Sequence, residues 1–239
     1  MPRVAVAQIK VIDNVAKNSQ QILKFIDKAF NRQADIVCFP ETCLNPDNEN
    51  VIDVSSHIGE IRERCRGKSI YCIFGSYIKS GKKIFNTVFL IDRSGRILYK
   101  YKKVHLWKSE SENVSPGKTN KVIKTDFGKI GIINCWDFAF PEFVKNLSKK
   151  GAKIIFCPSY LVDYEKDEEL LRKIPLVRAF ENMSYYVSCD AFTDETLSES
   201  CICHPLRILK TIKKKEGIMF EDLNLKEIDS LREYYDIIK

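Results

Sequence analysis

Histidine is scarce in this 239-residue chain, with three in all, and only Cys201-Ile202-Cys203-His204 resembles part of a metal site. No second ligand pair stands at a suitable spacing, so a zinc site is not expected. Apolar runs are short, and none reaches the length that spans a bilayer, so no membrane is expected as a partner. The chain also shows no charged-then-apolar leader: Met1-Pro2-Arg3 leads straight into Val4-Ala5-Val6-Ala7. Nine cysteines, an odd number, in such a chain point to reduced thiols and a cytoplasmic protein, not to a disulfide framework. Arginine-rich arms and interleaved aromatic and basic residues are missing too. The net charge of +7 comes mostly from lysines spread along the chain, so nucleic acid is not an expected partner. The densest run, Lys213-Lys214-Lys215, reads as a solvated turn. Internal repeats, low-complexity segments and linkers are absent, and one domain over residues 1–239 is the simplest organisation.

What is present is a composition suited to a packed core, 44% hydrophobic and 30% charged. Short apolar runs predict strands over 4–9, 35–39, 70–78, 84–91, 97–101, 122–125, 129–134, 154–157 and 185–189. Helical periodicity covers 15–30, behind a cap at Asp13 or Asn14, and 53–66, 141–150, 168–182 and 225–235. Pro175 predicts a break or a fresh first turn inside the fourth of these. Strands alternating with helices make this an α/β chain.

Three polar residues stand just beyond apolar runs: Glu41 after Phe39-Pro40, Lys103 after Tyr101-Lys102, and Cys135 after Ile133-Asn134. Each has a plain reading, respectively a solvated loop acid, one of 39 basic residues, and a buried thiol packing as a small hydrophobe. Together they read differently. A thiol nucleophile needs a base to take its proton and a cation or dipole to hold the developing oxyanion.

Phe39-Pro40-Glu41, Tyr101-Lys102-Lys103-Val104-His105-Leu106 and Asn134-Cys135-Trp136-Asp137 through Phe140-Pro141-Glu142 resemble, in that order, the three signature blocks of the nitrilase superfamily, the carbon–nitrogen hydrolases. Arg178-Ala179-Phe180-Glu181-Asn182 is similar to a later family segment, so the likeness covers nearly the whole chain. The resemblance implies a four-layer α-β-β-α sandwich with no metal or organic cofactor. It implies Glu41 as general base, Lys103 as oxyanion stabiliser and Cys135 as nucleophile. A second glutamate follows the lysine in this family; Glu110 fits best and Glu112 is the other candidate. The Trp136 N–H would complete the oxyanion hole. Trp136, Phe138 and Tyr160, with Trp107, are candidates to line a substrate pocket, although aromatics such as these, Trp136 excepted, are as a rule core. The implied reaction is hydrolysis of a small linear amide through a cysteine thioester. The alternatives are conversion of a nitrile to an acid and a catalytically silent binding protein.

Relatives often pair into dimers through helices near the cysteine. Here those are 141–150 and 168–182, with Phe143, Val144, Leu147, Leu170, Leu171 and Leu176 as candidate contacts. His105 reads as support for the lysine loop and Asp137 as a turn-ordering acid. The chain departs from the family pattern twice. Ala139 stands where many relatives carry arginine, and Ser198-Glu199-Ser200 replaces Gly-x-Ser. With no cation in the turn after Cys135, a substrate bearing a free carboxylate is disfavoured, unless Arg172, Lys173 or Arg178 reaches in.

Overall fold

Strands whose two faces are both covered show near-continuous apolar runs, not strict alternation. That is the pattern in this computed structural model, which describes residues 1–238. The strands are β1 (Arg3–Gln8), β2 (Ile36–Cys38), β3 (Tyr71–Ser80), β4 (Lys83–Ile91), β5 (Ile97–Lys102), β6 (Ile123–Thr125), β7 (Gly128–Ile132), β8 (Ile154–Pro158), β9 (Tyr185–Cys189), β10 (Glu199–His204), β11 (Arg207–Lys213) and β12 (Gly217–Asp222). They form two six-stranded sheets, ordered β12-β1-β2-β3-β4-β5 and β11-β10-β9-β8-β7-β6. Each sheet is parallel at its centre and antiparallel toward its edges.

The period of two along each strand builds the layers. Val4, Val6, Ile36 and Ile73 of the first sheet meet Ile130, Ile132, Ile154 and Phe156 of the second in a shared apolar seam. The alternate residues of the first sheet, Ala5, Ala7, Val37 and Phe74, face helices α1 (Val15–Asn31) and α2 (Ser55–Lys68) through Ile22, Phe25, Ile26 and Ile61. On the second sheet, Ile155, Cys157 and Tyr186 face α3 (Pro141–Lys149) and α4 (Glu168–Glu181) through Val144, Leu147 and Ala179. The result is the α-β-β-α sandwich the motifs imply. A last helix, α5 (Leu225–Tyr235), packs Ile228 against one end of the seam.

Local expectations fare unevenly. Asn14, not Asp13, caps α1, its side chain accepting from the Lys17 N–H at 2.9 Å. Lys214 adopts φ 48° in the turn between β11 and β12, where the lysine run falls. Pro175 breaks nothing: α4 runs through it. Packing of Leu171, Ile174, Leu176 and Ala179 against the second sheet holds the helix together against a proline cost of about 3 kcal/mol. Cys201 and Cys203 point to the outer face of β10, their sulfurs 3.7 Å apart, whereas His204 turns to the other face beside Tyr185 and Glu227. Odd offsets along the strand, one residue from Cys203 and three from Cys201, thus put the imidazole on the opposite face from both thiols.

Candidate active site

β2, β7 and β8 run parallel within their sheets and end on one side of the sandwich. β5 joins them there because two antiparallel steps, β3 to β4 and β4 to β5, restore the direction of β3. Glu41 follows β2 and Lys103 follows β5, so the first sheet presents both. Cys135 follows β7 and Tyr160 follows β8, from the second. The Glu41 N–H donates to the Ser159 carbonyl at 3.3 Å, tying the two sheet ends together.

The backbone is forced at this edge. Cys135 opens a single 3-10 turn (Cys135–Ala139) with φ 44°, and Thr42 has φ 47°. Such left-handed conformations cost a non-glycine residue about 1 to 3 kcal/mol and persist only where surroundings impose them. Asp137 imposes the first. Its carboxylate accepts from the Asn134 N–H at 2.9 Å, the Tyr101 hydroxyl at 2.5 Å and the His105 N–H at 2.9 Å. The His105 ring stacks on Phe140 at 3.6 Å, so His105 braces the loop that follows β5. Close approach imposes the second: a Cβ on Gly75 of β3 would lie 2.3 Å from the Thr42 nitrogen, so glycine alone lets the Glu41 loop settle there.

Glu41, Lys103, Glu110 and Cys135 are 2 to 6% exposed and meet at the floor of one cavity of about 470 Å³. Lys103 Nζ donates to Glu41 Oε1 at 2.7 Å and to Glu110 Oε2 at 2.6 Å. Glu110, not Glu112, is therefore the acid beside the lysine, presented by a 3-10 turn (Lys108–Glu110). The Asn86 amide donates to Glu41 Oε1 at 2.7 Å and Glu110 Oε1 at 2.6 Å, and its oxygen accepts from Asn134 at 2.8 Å. The Tyr77 hydroxyl and the Trp107 N–H add donors to Glu110 at 3.1 and 3.0 Å.

The two glutamates thus differ in what surrounds them. Glu110 has four donors. Glu41 receives both of its nitrogen donors on Oε1, and its remaining hydrogen-bond partner among the described residues is the Cys135 thiol. Burial raises both acids. For Glu110 the Lys103 charge and the hydrogen bonds from Lys103, Asn86 and Trp107 outweigh it and hold the group below the usual range. For Glu41 burial wins over Lys103, helped by the nearby Glu110 charge, and its pKa lies above the usual range. Burial alone would depress Lys103, but Glu41, Cys135 and Glu110 hold it firmly as an ammonium. Burial, then the Glu41 charge, pushes the Cys135 thiol well up, so the resting sulfur carries its proton. Paired acids with pKa values driven apart are the mark of one group that stays charged and one that exchanges protons.

Above this floor, Trp136, Phe138 and Tyr160 line the cavity, joined by Trp107, whose ring meets Trp136 edge-on at 4.5 Å. Among the described residues, Lys103 is the only cation in the lining. Arg172 pairs with Glu168 and Glu199, Lys173 with Glu169, and Arg178 with the Phe138 carbonyl and Glu181, so the three cations that might have reached in are held elsewhere.

The sequence profile of the carbon-nitrogen hydrolases matches residues 3–233. The chain belongs to the carbon–nitrogen hydrolase family. This carbon–nitrogen hydrolase is 27% identical over 263 residues to the omega-amidase of Bos taurus, covering 98% of this chain and 93% of that protein. It is 28% identical over 243 residues to a protein named nitrilase from Pyrococcus abyssi, covering 93% of this chain and 90% of that one. Its fold matches the crystal structure of a Saccharomyces cerevisiae member of branch 10 of the nitrilase superfamily with a TM-score of 0.91, at 24% identity over 100% of this chain and 95% of that one.

Sequence reasoning missed Asn86 and Tyr77 in this hydrolase. They are opposite each other across β3 and β4 and turn their polar ends to the same carboxylate. A signal existed: an asparagine inside the largely apolar run 84–91 must find partners if buried. The replaced Gly-x-Ser has a simple outcome. Ser198 takes φ 52°, the conformation glycine would adopt at lower cost, and its hydroxyl donates to the Thr193 carbonyl at 3.2 Å. Ser200 bonds Gln8 of β1 at 2.7 Å, so the turn is kept by side-chain bonds.

Proposed function

We propose that this carbon–nitrogen hydrolase is an amidase acting on small linear primary amides through a Glu41–Lys103–Cys135 triad with Glu110 as a fixed counter-ion. The observation that carries the reading is the split between two glutamates that share one ammonium. Glu41, with its raised pKa and its hydrogen bond to the Cys135 thiol, is suited to move a proton, while Glu110 is suited to keep Lys103 charged and in place.

In this reading the Cys135 sulfur attacks the amide carbonyl carbon while Glu41 takes the thiol proton. The C–O π electrons move to oxygen, and Lys103 Nζ with the Trp136 N–H holds the resulting oxyanion. Collapse of the tetrahedral species breaks the C–N bond, and Glu41 returns the proton to nitrogen, so ammonia leaves and a thioester remains. Water then gives a proton to Glu41 and attacks the thioester. The C–S bond breaks and the sulfur recovers the proton. The sum is amide plus water to carboxylic acid plus ammonia. Trp136, Phe138 and Tyr160 enclose the apolar part of the substrate. Ammonia release across amides and nitriles tests the reading: Cys135→Ala should abolish it, and an equally active Cys135→Ala enzyme would overturn it.

A relative named nitrilase keeps the second reaction in view, and a nitrile converted to its acid faster than the matching amide would favour it. We further propose a homodimer in a reducing, cytoplasmic setting, the latter in keeping with nine free and buried cysteines. Of the six contacts anticipated for the dimer, Val144 and Leu147 are fully buried within the chain's own core and are unavailable. Phe140, Leu170, Val177 and Phe180 are 39 to 57% exposed on or next to α3 and α4, and offer an apolar face instead. Light scattering at micromolar concentration should give twice the monomer mass.

A further inference from the structure

The cavity that holds Cys135 is lined by five carboxyl groups and a single ammonium, that of Lys103. Two of the acids, Glu41 and Glu110, lie at the floor and are matched to Lys103. The other three, Asp163, Asp167 and Glu195, are exposed at the mouth, the first two from the segment between β8 and α4 and the third from the loop between β9 and β10. None of these three has a cationic partner among the described residues. Asp163 is instead fixed by the Trp107 indole N–H, which donates to it at 3.2 Å. The chain as a whole is basic, with net charge +7, so an acidic mouth runs against its average.

The walls between floor and mouth give a second and independent observation. The Trp107 and Trp136 rings meet at 4.5 Å, and Trp136 and Phe138 at 5.7 Å, with Tyr160 also in the lining. Aromatic faces attract ammonium groups and do nothing comparable for carboxylates. Burial pushes the Tyr160 hydroxyl above its usual range against a hydrogen bond with Thr193, and the charge of Glu195, with those of Asp190 and Glu41, adds to the rise.

We propose that the preferred substrates are linear primary amides that carry an ammonium group at the end away from the scissile bond, the amide entering toward Cys135 and the ammonium resting among Asp163, Asp167, Glu195 and the indoles. This rests on the amidase reading and specifies its substrate class. A neutral chain would fill the same aromatic walls without the charge contacts. A carboxylate-ended chain would meet three acids and no free cation.

Three amides of matched length test it: 5-aminopentanamide, pentanamide and glutaramic acid, compared by kcat/KM for ammonia release at low ionic strength. The cationic amide should exceed the neutral one by about tenfold or more, equivalent to about 1.4 kcal/mol, and the anionic one should be slowest. In the Asp167→Asn/Glu195→Gln double variant the cationic-to-neutral ratio should fall toward one. A second readout needs no amide turnover. The rate of Cys135 modification by 2-aminoethyl methanethiosulfonate should exceed that by the 2-sulfonatoethyl reagent, each normalised to its rate with free cysteine, and the double variant should shrink that difference. Equal turnover of the three amides, preference for glutaramic acid, or ratios unchanged in the double variant would overturn the proposal. Failure to turn over any amide, with the order of the thiol reagents intact, would overturn the amidase reading while supporting selection of cations by this cavity.

Discussion

The floor and the mouth of the cavity are built from the same kind of residue and use it in opposite ways. Glu41 and Glu110 are buried, each bonded to Lys103 and Asn86 at 2.6 to 2.7 Å. Asp163, Asp167 and Glu195 are exposed and lack a counter-charge among the described residues. A buried carboxylate is governed by its contacts, because little solvent stands between the charges. An exposed one acts through a field that water and salt weaken. The difference teaches that the floor is tuned one hydrogen bond at a time and the mouth only by the sum of its charges.

The sharpest way to break the floor is to remove its cation. Lys103→Met should lower kcat/KM by about a hundred- to a thousandfold as an oxyanion donor is lost. It should also destabilise the fold by about 3 to 5 kcal/mol, since two buried acids lose their partner. Lys102→Met, one residue away but lying over the Phe85 ring, should stay near wild type in both activity and denaturant midpoint. Next comes Asn86→Ala, which removes the amide that spans both carboxylates. A loss of about 1 to 3 kcal/mol in stability is expected, with a lower kcat, and Asn86→Asp should be worse because it sets a third acid against the pair.

A smaller effect sharpens the electrostatic assignment. Glu41 must be unprotonated to act as a base, and its pKa is raised, so activity should fall as the pH drops through a midpoint above the usual glutamate range. The Glu110 charge contributes to that rise. Glu110→Gln should therefore shift the acid limb of the kcat/KM profile to lower pH while also slowing turnover, and a limb that stays fixed or moves up would reassign the titrating group. The mildest test concerns the mouth. Raising ionic strength from about 10 mM to 1 M shortens the screening length from about 30 to 3 Å. The advantage of a cationic over a neutral substrate should shrink accordingly, while kcat for the neutral one stays level.

The two regions were also unequally legible in the sequence. Glu41, Lys103 and Cys135 each follow an apolar run that ends visibly, whereas the two layers of sheet were implied only by the resemblance of the three motif blocks. Trp136 and Phe138 stand beyond the same run as Cys135, and Tyr160 beyond the next, 154–157. Asn86 and Tyr77 sit inside strands, where position along the chain says nothing about which neighbour a side chain will meet. Asp163, Asp167 and Glu195 lie in loops whose placement depends on how β8, α4, β9 and β10 assemble, and no local pattern distinguishes them from solvated acids. Pro175 misled for the same reason in reverse: local chemistry predicted a break, and packing of the flanking apolar residues overrode it.

Glu41 and Lys103 belong to one sheet and Cys135 to the other, and the two ends are aligned by apolar packing and a short set of hydrogen bonds that cross between the sheets: Glu41 N–H to Ser159 O, the Asn134 amide to Asn86, and Tyr101 and His105 to Asp137. Catalytic competence in this protein is therefore a vernier for how the halves of the sandwich sit against each other. A slip of well under the 3.3 Å rise of one strand residue would leave every strand, helix and spectroscopic signature of folding in place and yet carry the thiol out of line with the carboxylate. On heating, such a slip would silence the enzyme at a temperature where the chain is still folded.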